Sequence, residues 1–130
     1  LDISEISPKP TLLENLTLDE NVAYFTHYLS LDEETINSKL EKFKLTDYRK
    51  DSIKNFSSGM IKRSELAICD IKNPDVLCID EPLNYLDKEG IEILEDLLNI
   101  RSSDNKCSIL SSQESLNILT NIETVNLNEV

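Results

Sequence analysis

The first half of the chain has the hydrophobic periodicity of amphipathic helices, in which apolar residues recur every three or four positions. The segment Thr17–Glu20 has the pattern of a capping box, in which a hydroxyl and a carboxylate satisfy free backbone donors at a helix start. Ser57 is placed to cap a later helix. The predicted helices cover residues 17–29, 30–43 and 57–71, with a short turn or helix over 46–50.

The second half changes to an alternation of strands and helices. Asn73–Asp75 breaks the third helix, and the run Val76–Ile79 is apolar without alternation, as in a strand buried on both faces of a parallel sheet. Further elements are predicted as a helix over 88–100, a strand over 107–112, a helix near 114–120 and a strand near 123–127. This order predicts an α/β fold with a parallel sheet.

Residues 1–16 are expected to form a connector. They contain Pro8 and Pro10, and proline cannot continue a helix because it lacks an amide hydrogen and its ring clashes with the preceding turn. The prolines therefore separate the start of the chain from the helix that opens at Thr17.

Glycine is scarce, with two residues in 130, Gly59 and Gly90. Average usage of about 7% would give about nine glycines in a chain of this length. Phosphate-binding loops of the GxxxxGKS/T and GxGxxG types need several glycines close together, because their backbone turns tightly around the phosphate. Neither loop is present in these 130 residues.

The net charge and the cysteine spacing exclude several kinds of ligand and of covalent cross-link. With 13 basic and 25 acidic residues, the formal net charge is −12, which repels phosphate backbones and argues against nucleic acid as a direct ligand. Cys69, Cys78 and Cys107 are far apart and lie in apolar runs, so we expect small buried thiols in a reducing compartment. No segment approaches the roughly 18 apolar residues of a membrane span.

The pair Asp80 and Glu81 is the strongest candidate for chemistry. It follows the apolar run directly, and ligands of open α/β sheets bind beyond the carboxyl ends of the strands. A carboxylate there can hold Mg²⁺, directly or through water, and its neighbour can polarise an attacking water. Taken alone, such a pair is more often a solvated turn or a helix cap.

Three motifs, in order along the chain, resemble those of an ABC-type ATPase. Phe56–Met60 is similar to the signature motif, Val76–Pro82 to the Walker B strand with its acidic pair, and Asn84–Asp87 to the D-loop. Further stretches resemble the start of the helical subdomain, the strand before the switch histidine, and the next edge strand and turn: Leu16–Val22, Ser108–Glu114 and Val125–Val130. The ordered set carries the resemblance.

The resemblance implies an α/β fold made of the helical subdomain plus the C-terminal half of the P-loop NTPase core, without the Walker A region. The implied divisions are a connector after the Q-loop position, the helical subdomain with the signature motif, and the C-terminal part of the core: 1–16, 17–73 and 74–130. Such subunits bind ATP and Mg²⁺, form homodimers or heterodimers, and drive transmembrane permease subunits from the cytoplasmic face of the cell membrane. Without Walker A, this chain alone is expected to bind ATP poorly and to be inactive.

The resemblance also implies roles for single residues. Asp80 is implied as the Mg²⁺ ligand, and Glu81 as the catalytic base or water-positioning residue in γ-phosphate hydrolysis. Gln113, at the position of the switch histidine, is the second residue implied in catalysis. Nucleotide contacts across the dimer are implied for Ser57, Ser58, Gly59, Met60 and Asp87. A helix N-terminus offers free N–H groups and a positive dipole end to a phosphate, although simple helix capping is the plain alternative for the serines and for Asp87.

Four positions depart from the family pattern. Ser58 replaces the first glycine of the signature and Met60 its glutamine, a combination closer to heme-exporter and drug-exporter ATPases than to importers. Together with the run Leu16–Leu29, it looks most like the cytochrome c biogenesis heme-exporter ATPases, with drug-exporter ATPases close behind, so the resemblance suggests heme export. Gln113 cannot change charge or accept a proton as a histidine does. The Q-loop glutamine position falls on or near Pro8. The last two changes argue against fast hydrolysis.

Two alternatives to an ABC exporter subunit stay open. Asn84–Asp87 also resembles the D-loop of soluble ABC proteins that act on ribosomes, although the net charge of −12 argues against that role. A degenerate, non-hydrolysing subunit would account for Gln113, Pro8 and the missing Walker A loop. His27, the only histidine, lies within the first predicted helix and is not expected to act in chemistry.

Overall fold

The computed structural model describes residues 1–127. Its elements are β1 (Ile3–Ile6), α1 (Leu18–Thr26), α2 (Glu33–Lys42), α3 (Ser58–Lys72), β2 (Val76–Asp80), α4 (Lys88–Ser103) and β3 (Cys107–Ser111). Two 3₁₀ turns connect α2 to α3, at Thr46–Tyr48 and Ile53–Asn55. The predicted α/β class is confirmed, with a largely helical first half and a strand–helix–strand second half.

The three strands form one parallel sheet in the order β1-β2-β3. Val76 of the central strand lies opposite Ile3 on one side and Cys107 on the other. The chain passes from β2 to β3 through α4, which is the kind of crossover that parallel neighbours need. The carboxyl ends of the strands therefore meet at one edge, where Asp80 lies opposite Ser111.

The connector expected over residues 1–16 contains a strand, β1. Its inward positions are Ser4 and Ile6, whereas Ile3 is 63% exposed. The strand is not evident in the sequence because a serine occupies one buried position and an isoleucine an exposed one. The stretch beyond Ile6, with its two prolines, is the part that matches a connector.

Side-chain caps set the starts of the first two helices. Thr17 Oγ1 accepts the N–H of Glu20 at 3.1 Å, and Glu20 Oε1 accepts the N–H of Thr17 at 3.1 Å, so the predicted capping box is confirmed. In α2 the cap is Asp32, whose Oδ1 accepts the N–H of Thr35 at 2.8 Å. That helix consequently begins at Glu33, later than the sequence pattern indicated.

The core is organised around α3, which contacts α1, α2, α4 and β1. Leucine and isoleucine supply most of it, as in the buried set Leu66, Ile68, Ile71, Leu77, Ile79, Leu94 and Leu97. This composition follows from a chain in which only 5% of the residues are aromatic. In residues 1–127, no helix is both long enough and apolar enough to cross a bilayer.

The helices cover one face of the sheet. Leu77 and Ile79 are each 1% exposed on that face, whereas Val76 and Cys78 are half-buried and Ile109 is 53% exposed on the other. The expectation that β2 is buried on both faces is therefore wrong for the described residues. The cause is that the helices pack on the side of Leu77 and Ile79.

The helix predicted near 114–120 is not formed. The hydroxyl of Ser112 accepts the N–H of Glu114 at 3.1 Å, and the hydroxyl of Ser115 accepts that of Asn117 at 3.2 Å. The second bond takes the N–H of Asn117, which a helix over 114–120 would pair with the carbonyl of Gln113.

The strand predicted near 123–127 is not formed either. A strand needs a neighbour that satisfies its backbone groups, and within the described residues the sheet ends at β3. Val125 is accordingly 72% exposed. The edge strand and turn expected over Val125–Val130 lie partly in residues 128–130, which are outside the described residues.

The three cysteines are free thiols in different surroundings. Cys69 is buried in α3, and burial raises the pKa of its thiol to about 11. Cys78 is half-buried, and Cys107 is exposed at the start of β3. The expectation of buried thiols is confirmed for Cys69 and wrong for Cys107, because alternate residues of β3 face away from the helices.

Asn21 of α1 ties the preceding loop to the helix. Its side chain is fully buried; Oδ1 accepts the N–H of Leu13 at 2.8 Å, and Nδ2 donates to the carbonyls of Leu13 at 3.0 Å and Thr17 at 2.9 Å. A buried backbone group that loses its partner costs about 1–3 kcal/mol.

We expect Asn21→Ala to lower the free energy of unfolding by about 1–3 kcal/mol, because it removes a fully buried side chain and takes the acceptor from the N–H of Leu13. Urea unfolding of the 130-residue chain measures the change. Asn55→Ala, at an exposed asparagine in the second 3₁₀ turn, is the matched control and should change stability by less than about 0.5 kcal/mol. Equal effects of the two substitutions would contradict the role of Asn21.

Candidate functional site

Asp80 and Glu81 lie side by side at the carboxyl edge of the sheet. Asp80 ends β2, is exposed, and its Oδ1 accepts the hydroxyl of Ser111 at 2.8 Å. Glu81 is half-buried and has a φ of +52°, in the left-handed region. This conformation costs a residue other than glycine about 1–3 kcal/mol and persists only where neighbouring contacts hold it.

The end of β3 supplies the contacts that hold Glu81. The Glu81 N–H donates to the carbonyl of Ser111 at 2.7 Å. In its side chain, Oε2 accepts the hydroxyl of Ser112 at 3.1 Å and Oε1 accepts the N–H of Gln113 at 2.9 Å. The backbone and both carboxylate oxygens of Glu81 are thus bound by three consecutive residues.

Gln113 contacts Glu81, as expected for a second residue implied in catalysis. The contact is made by the backbone N–H of Gln113 and not by its side chain. Within residues 1–127 the amide side chain of Gln113 makes no hydrogen bond, and the residue is exposed. Sequence reasoning missed Ser111 and Ser112 as members of the site. The sequence does contain a signal for them. Two serines end the strand predicted over 107–112, and this strand runs parallel to the one that the acidic pair follows.

Ser57, Ser58 and Gly59 lie at the N-terminus of α3. Ser57 Oγ accepts the N–H of Met60 at 3.2 Å, so this serine does cap the helix. Ser58 is exposed, whereas Met60 packs partly against the core. A Cβ atom at position 59 would lie 2.9 Å from the carbonyl oxygen of Tyr85, which is closer than Cβ atoms come. Gly59 is therefore required for the close approach of the segment 81–87 to α3.

Asp87 lies at the other end of that segment and caps α4. Its Oδ1 accepts the N–H of Gly90 at 2.8 Å, so Asp87 has the helix-capping role that is the alternative to a nucleotide contact. The carboxylate is exposed, so capping does not remove it from the surface. Tyr85 has a φ of +67° and is 62% exposed, which makes this segment an irregular surface loop.

The predicted site residues fall into two groups. One contains Asp80, Glu81 and Gln113, and the other contains Ser57–Met60 at the start of α3 and Asp87. In the part of the chain that the structure describes, no hydrogen bond or ion pair joins Ser57–Met60 or Asp87 to the first group. A cavity of about 110 Å³ beside α3 is lined by residues including Pro8, Ser58, Lys62, Glu65 and Tyr85.

Lys62 is a buried cation on the wall of this cavity, with 4% of its surface exposed. Burial lowers the pKa of Lys62, and the negative charges of Glu65, Asp80 and Glu81 oppose that shift. Burial likewise raises the pKa of Glu65, whose Oε2 lies 3.4 Å from both the N–H and the hydroxyl of Thr11. Sequence reasoning missed both residues, although Ser58, Lys62 and Glu65 share one face of a helix by spacing.

The acid pair has the donor set that Mg²⁺ uses. Asp80 offers a carboxylate with its Oδ2 free of hydrogen bonds among residues 1–127, and the hydroxyl of Ser111 stands beside it. The described residues contain no cluster of three or more His, Cys, Asp or Glu side chains able to hold a metal. Mg²⁺ usually takes one or two protein carboxylates and completes its shell with phosphate oxygens and water, so Asp80 fits that ion.

Comparison with known proteins agrees with these motifs. The family model described as ABC transporter matches residues 2–84, well over half of the chain. A lantibiotic transport ATP-binding protein of Streptococcus pyogenes is 35% identical over 121 residues, which are 93% of this chain and 51% of the relative. A cytochrome c biogenesis ATP-binding export protein of Shewanella frigidimarina is 28% identical over 105 residues, 81% of this chain and 49% of the relative.

A solved structure described as the ATP binding subunit of an ABC transporter has the same fold. It matches with a TM-score of 0.75 at 23% identity, covering 86% of this chain and 49% of that one. The chain thus spans about half the length of the proteins it matches. With the family model, the relatives and the fold in agreement, the chain belongs to the family of ABC transporter ATP-binding proteins.

Proposed function

We propose that this chain is part of the ATP-binding subunit of an ABC exporter, in which ATP binding and hydrolysis drive transport through membrane partners. The observation that supports this most is the acid pair Asp80 and Glu81 at the carboxyl edge of the sheet, with the Glu81 side chain held by the end of β3. In the proposed division, 17–73 is the helical subdomain and 74–130 the core, to which β1 also belongs through its pairing with β2.

Asp80 is proposed to hold Mg²⁺ with the phosphates of ATP. The Ser111 hydroxyl orients the carboxylate through Oδ1, so Oδ2 keeps its full acceptor capacity. When bound, the ion would neutralise phosphate charge.

Glu81 is proposed to accept a proton from the attacking water. The water oxygen forms a bond to the γ-phosphorus, while the bond from that phosphorus to the bridging oxygen breaks and its electron pair leaves with ADP. Each oxygen of Glu81 accepts one hydrogen bond from the protein, so acceptor capacity remains for the water. The Gln113 side chain cannot take a proton as a histidine does, and we therefore expect slow turnover.

The start of α3 is proposed to contact ATP held by a second protomer. Ser58 and Gly59 present backbone N–H groups at a helix N-terminus, where the dipole favours an anion, and Ser57 adds a hydroxyl. Met60 and the exposed carboxylate of Asp87 are proposed to contact the nucleotide or the partner protomer. The present chain has no GxxxxGKS/T loop, so a complete site needs phosphate-binding residues from outside it, and the chain alone is proposed to bind ATP poorly and to be inactive.

The proposed partners are permease subunits, at the cytoplasmic face of the cell membrane, and a second ATP-binding subunit that is the same or different. A lantibiotic or drug-like cargo is favoured over heme, because the lantibiotic transport relative is 35% identical over 93% of the chain and the cytochrome c biogenesis relative 28% over 81%. A ribosomal partner is disfavoured by the net charge of −12, since ribosomal RNA is a polyanion.

We expect Glu81→Gln, in the complete protein that contains this chain, to lower ATP turnover at least 100-fold and to leave ATP affinity within about twofold, because the amide keeps the shape but cannot accept a proton. Phosphate release and equilibrium ATP binding measure the two quantities. Glu92→Gln, at an exposed position of α4, is the matched control. Unchanged turnover would remove Glu81 from the catalytic role, and wild-type protein that binds ATP tightly without turnover would establish the non-hydrolysing alternative.

We expect Asp80→Asn to raise the Mg²⁺ concentration needed for half-maximal turnover by about tenfold or more, because the substitution removes a charged oxygen ligand. A titration of turnover against Mg²⁺ at saturating ATP measures this shift. Asp47→Asn, at an exposed aspartate of the first 3₁₀ turn, should leave the titration unchanged. An identical titration for Asp80→Asn would contradict the assignment of Mg²⁺ to this residue.

A further inference from the structure

We infer that the hydroxyl of Ser112 is the group that positions the Glu81 carboxylate, and that the side chain of Gln113 is not. The inference rests on the proposed function, since it concerns the orientation of the base proposed there. It assigns a role to a serine that the motif pattern does not single out.

Two donors fix the plane of the Glu81 carboxylate. The Ser112 hydroxyl binds Oε2 at 3.1 Å and the Gln113 N–H binds Oε1 at 2.9 Å. The terminal torsion of a glutamate is otherwise broad, so one donor alone would leave the carboxylate free to swing about it. Of the two donors, only Ser112 acts through its side chain, and only that one can be removed by a simple substitution.

The local backbone directs the Ser112 proton toward Glu81. Ser112 Oγ accepts the N–H of Glu114 at 3.1 Å through one lone pair, and its single proton points to the Glu81 carboxylate as donor. The result is a chain of bonds from the Glu114 N–H through the Ser112 hydroxyl to Glu81. Such chains polarise one another and strengthen each bond.

Consecutive serines are matched to consecutive acids. Ser111 binds Asp80 at 2.8 Å where the two paired strands end, and Ser112 binds Glu81 at 3.1 Å one residue beyond those ends. Gln113 contributes through a backbone N–H that any residue other than proline carries. The site therefore depends on the identity of residue 112 for its orientation of Glu81.

The test uses the complete protein that contains this chain. Ser112→Ala should lower kcat about tenfold or more with KM for ATP within about twofold, because a misplaced base slows the chemical step without changing nucleotide binding. Ser112→Thr, which keeps the hydroxyl, should retain kcat within about threefold of wild type. Ser103→Ala, at an exposed serine ending α4, is the matched control, and thermal unfolding of each variant confirms that it is folded.

The outcomes separate this inference from the proposed function. If Glu81→Gln abolishes turnover while Ser112→Ala matches wild type, Glu81 keeps its role and the inference about Ser112 is wrong. The inference is also wrong if Ser112→Thr is as slow as Ser112→Ala. Full turnover by Glu81→Gln would overturn the proposed role of the base itself.

A second measurement does not require turnover. In the 130-residue chain, amide hydrogen exchange at Gln113 and Glu114 should be slower than in an unstructured peptide, because Glu81 and Ser112 accept these N–H groups. Ser112→Ala should speed exchange at both positions about tenfold or more, whereas Ser103→Ala should leave it unchanged. Unprotected exchange at both positions in the wild-type chain would overturn the inference.

Discussion

The register between β2 and β3 is the constraint on which the site depends. Asp80 lies opposite Ser111, and this pairing brings the two residues that follow β3 to Glu81. A slip of one residue would turn every side chain of a strand to the other face. The opposite end of the pair is fixed by Asp75, which binds the Lys106 ammonium at 2.9 Å through its carboxylate and the N–H of Cys107 at 2.9 Å through its carbonyl.

Buried polar groups reinforce that register from the helix side. Arg101 of α4 is 3% exposed, and it donates to the hydroxyl of Ser108 at 2.9 Å and to the carbonyl of Cys107 at 2.7 Å. Desolvation on burial lowers the pKa of this guanidinium, although nearby negative groups oppose the change. The cost of burying Arg101 is offset only where its donors are satisfied, so α4 and β3 are held in one relative position.

Local signals in the sequence predicted the elements that depend on local bonds. The capping box at Thr17, the helix start at Ser57 and the apolar strand β2 each follow from neighbouring residues, as does the position of the acid pair. The strand β1 could not be predicted in this way, because its partner lies more than 70 residues away and a serine fills one of its buried positions. The role of Ser112 depends on strand register, which periodicity does not specify.

The left-handed backbone at Glu81 shows how the acid pair is organised. A residue with a φ of +52° keeps that conformation because the carbonyl of Ser111, the hydroxyl of Ser112 and the N–H of Gln113 bind it together. All of these groups belong to β3 and the residues after it, so this chain orients the proposed base before any nucleotide arrives. The glycine-rich phosphate loop is not among these 130 residues. In the proposed subunit, the orientation of the base therefore depends on a different segment from the phosphate-binding loop, and substitutions at Glu81 and Ser112 should affect turnover more than affinity.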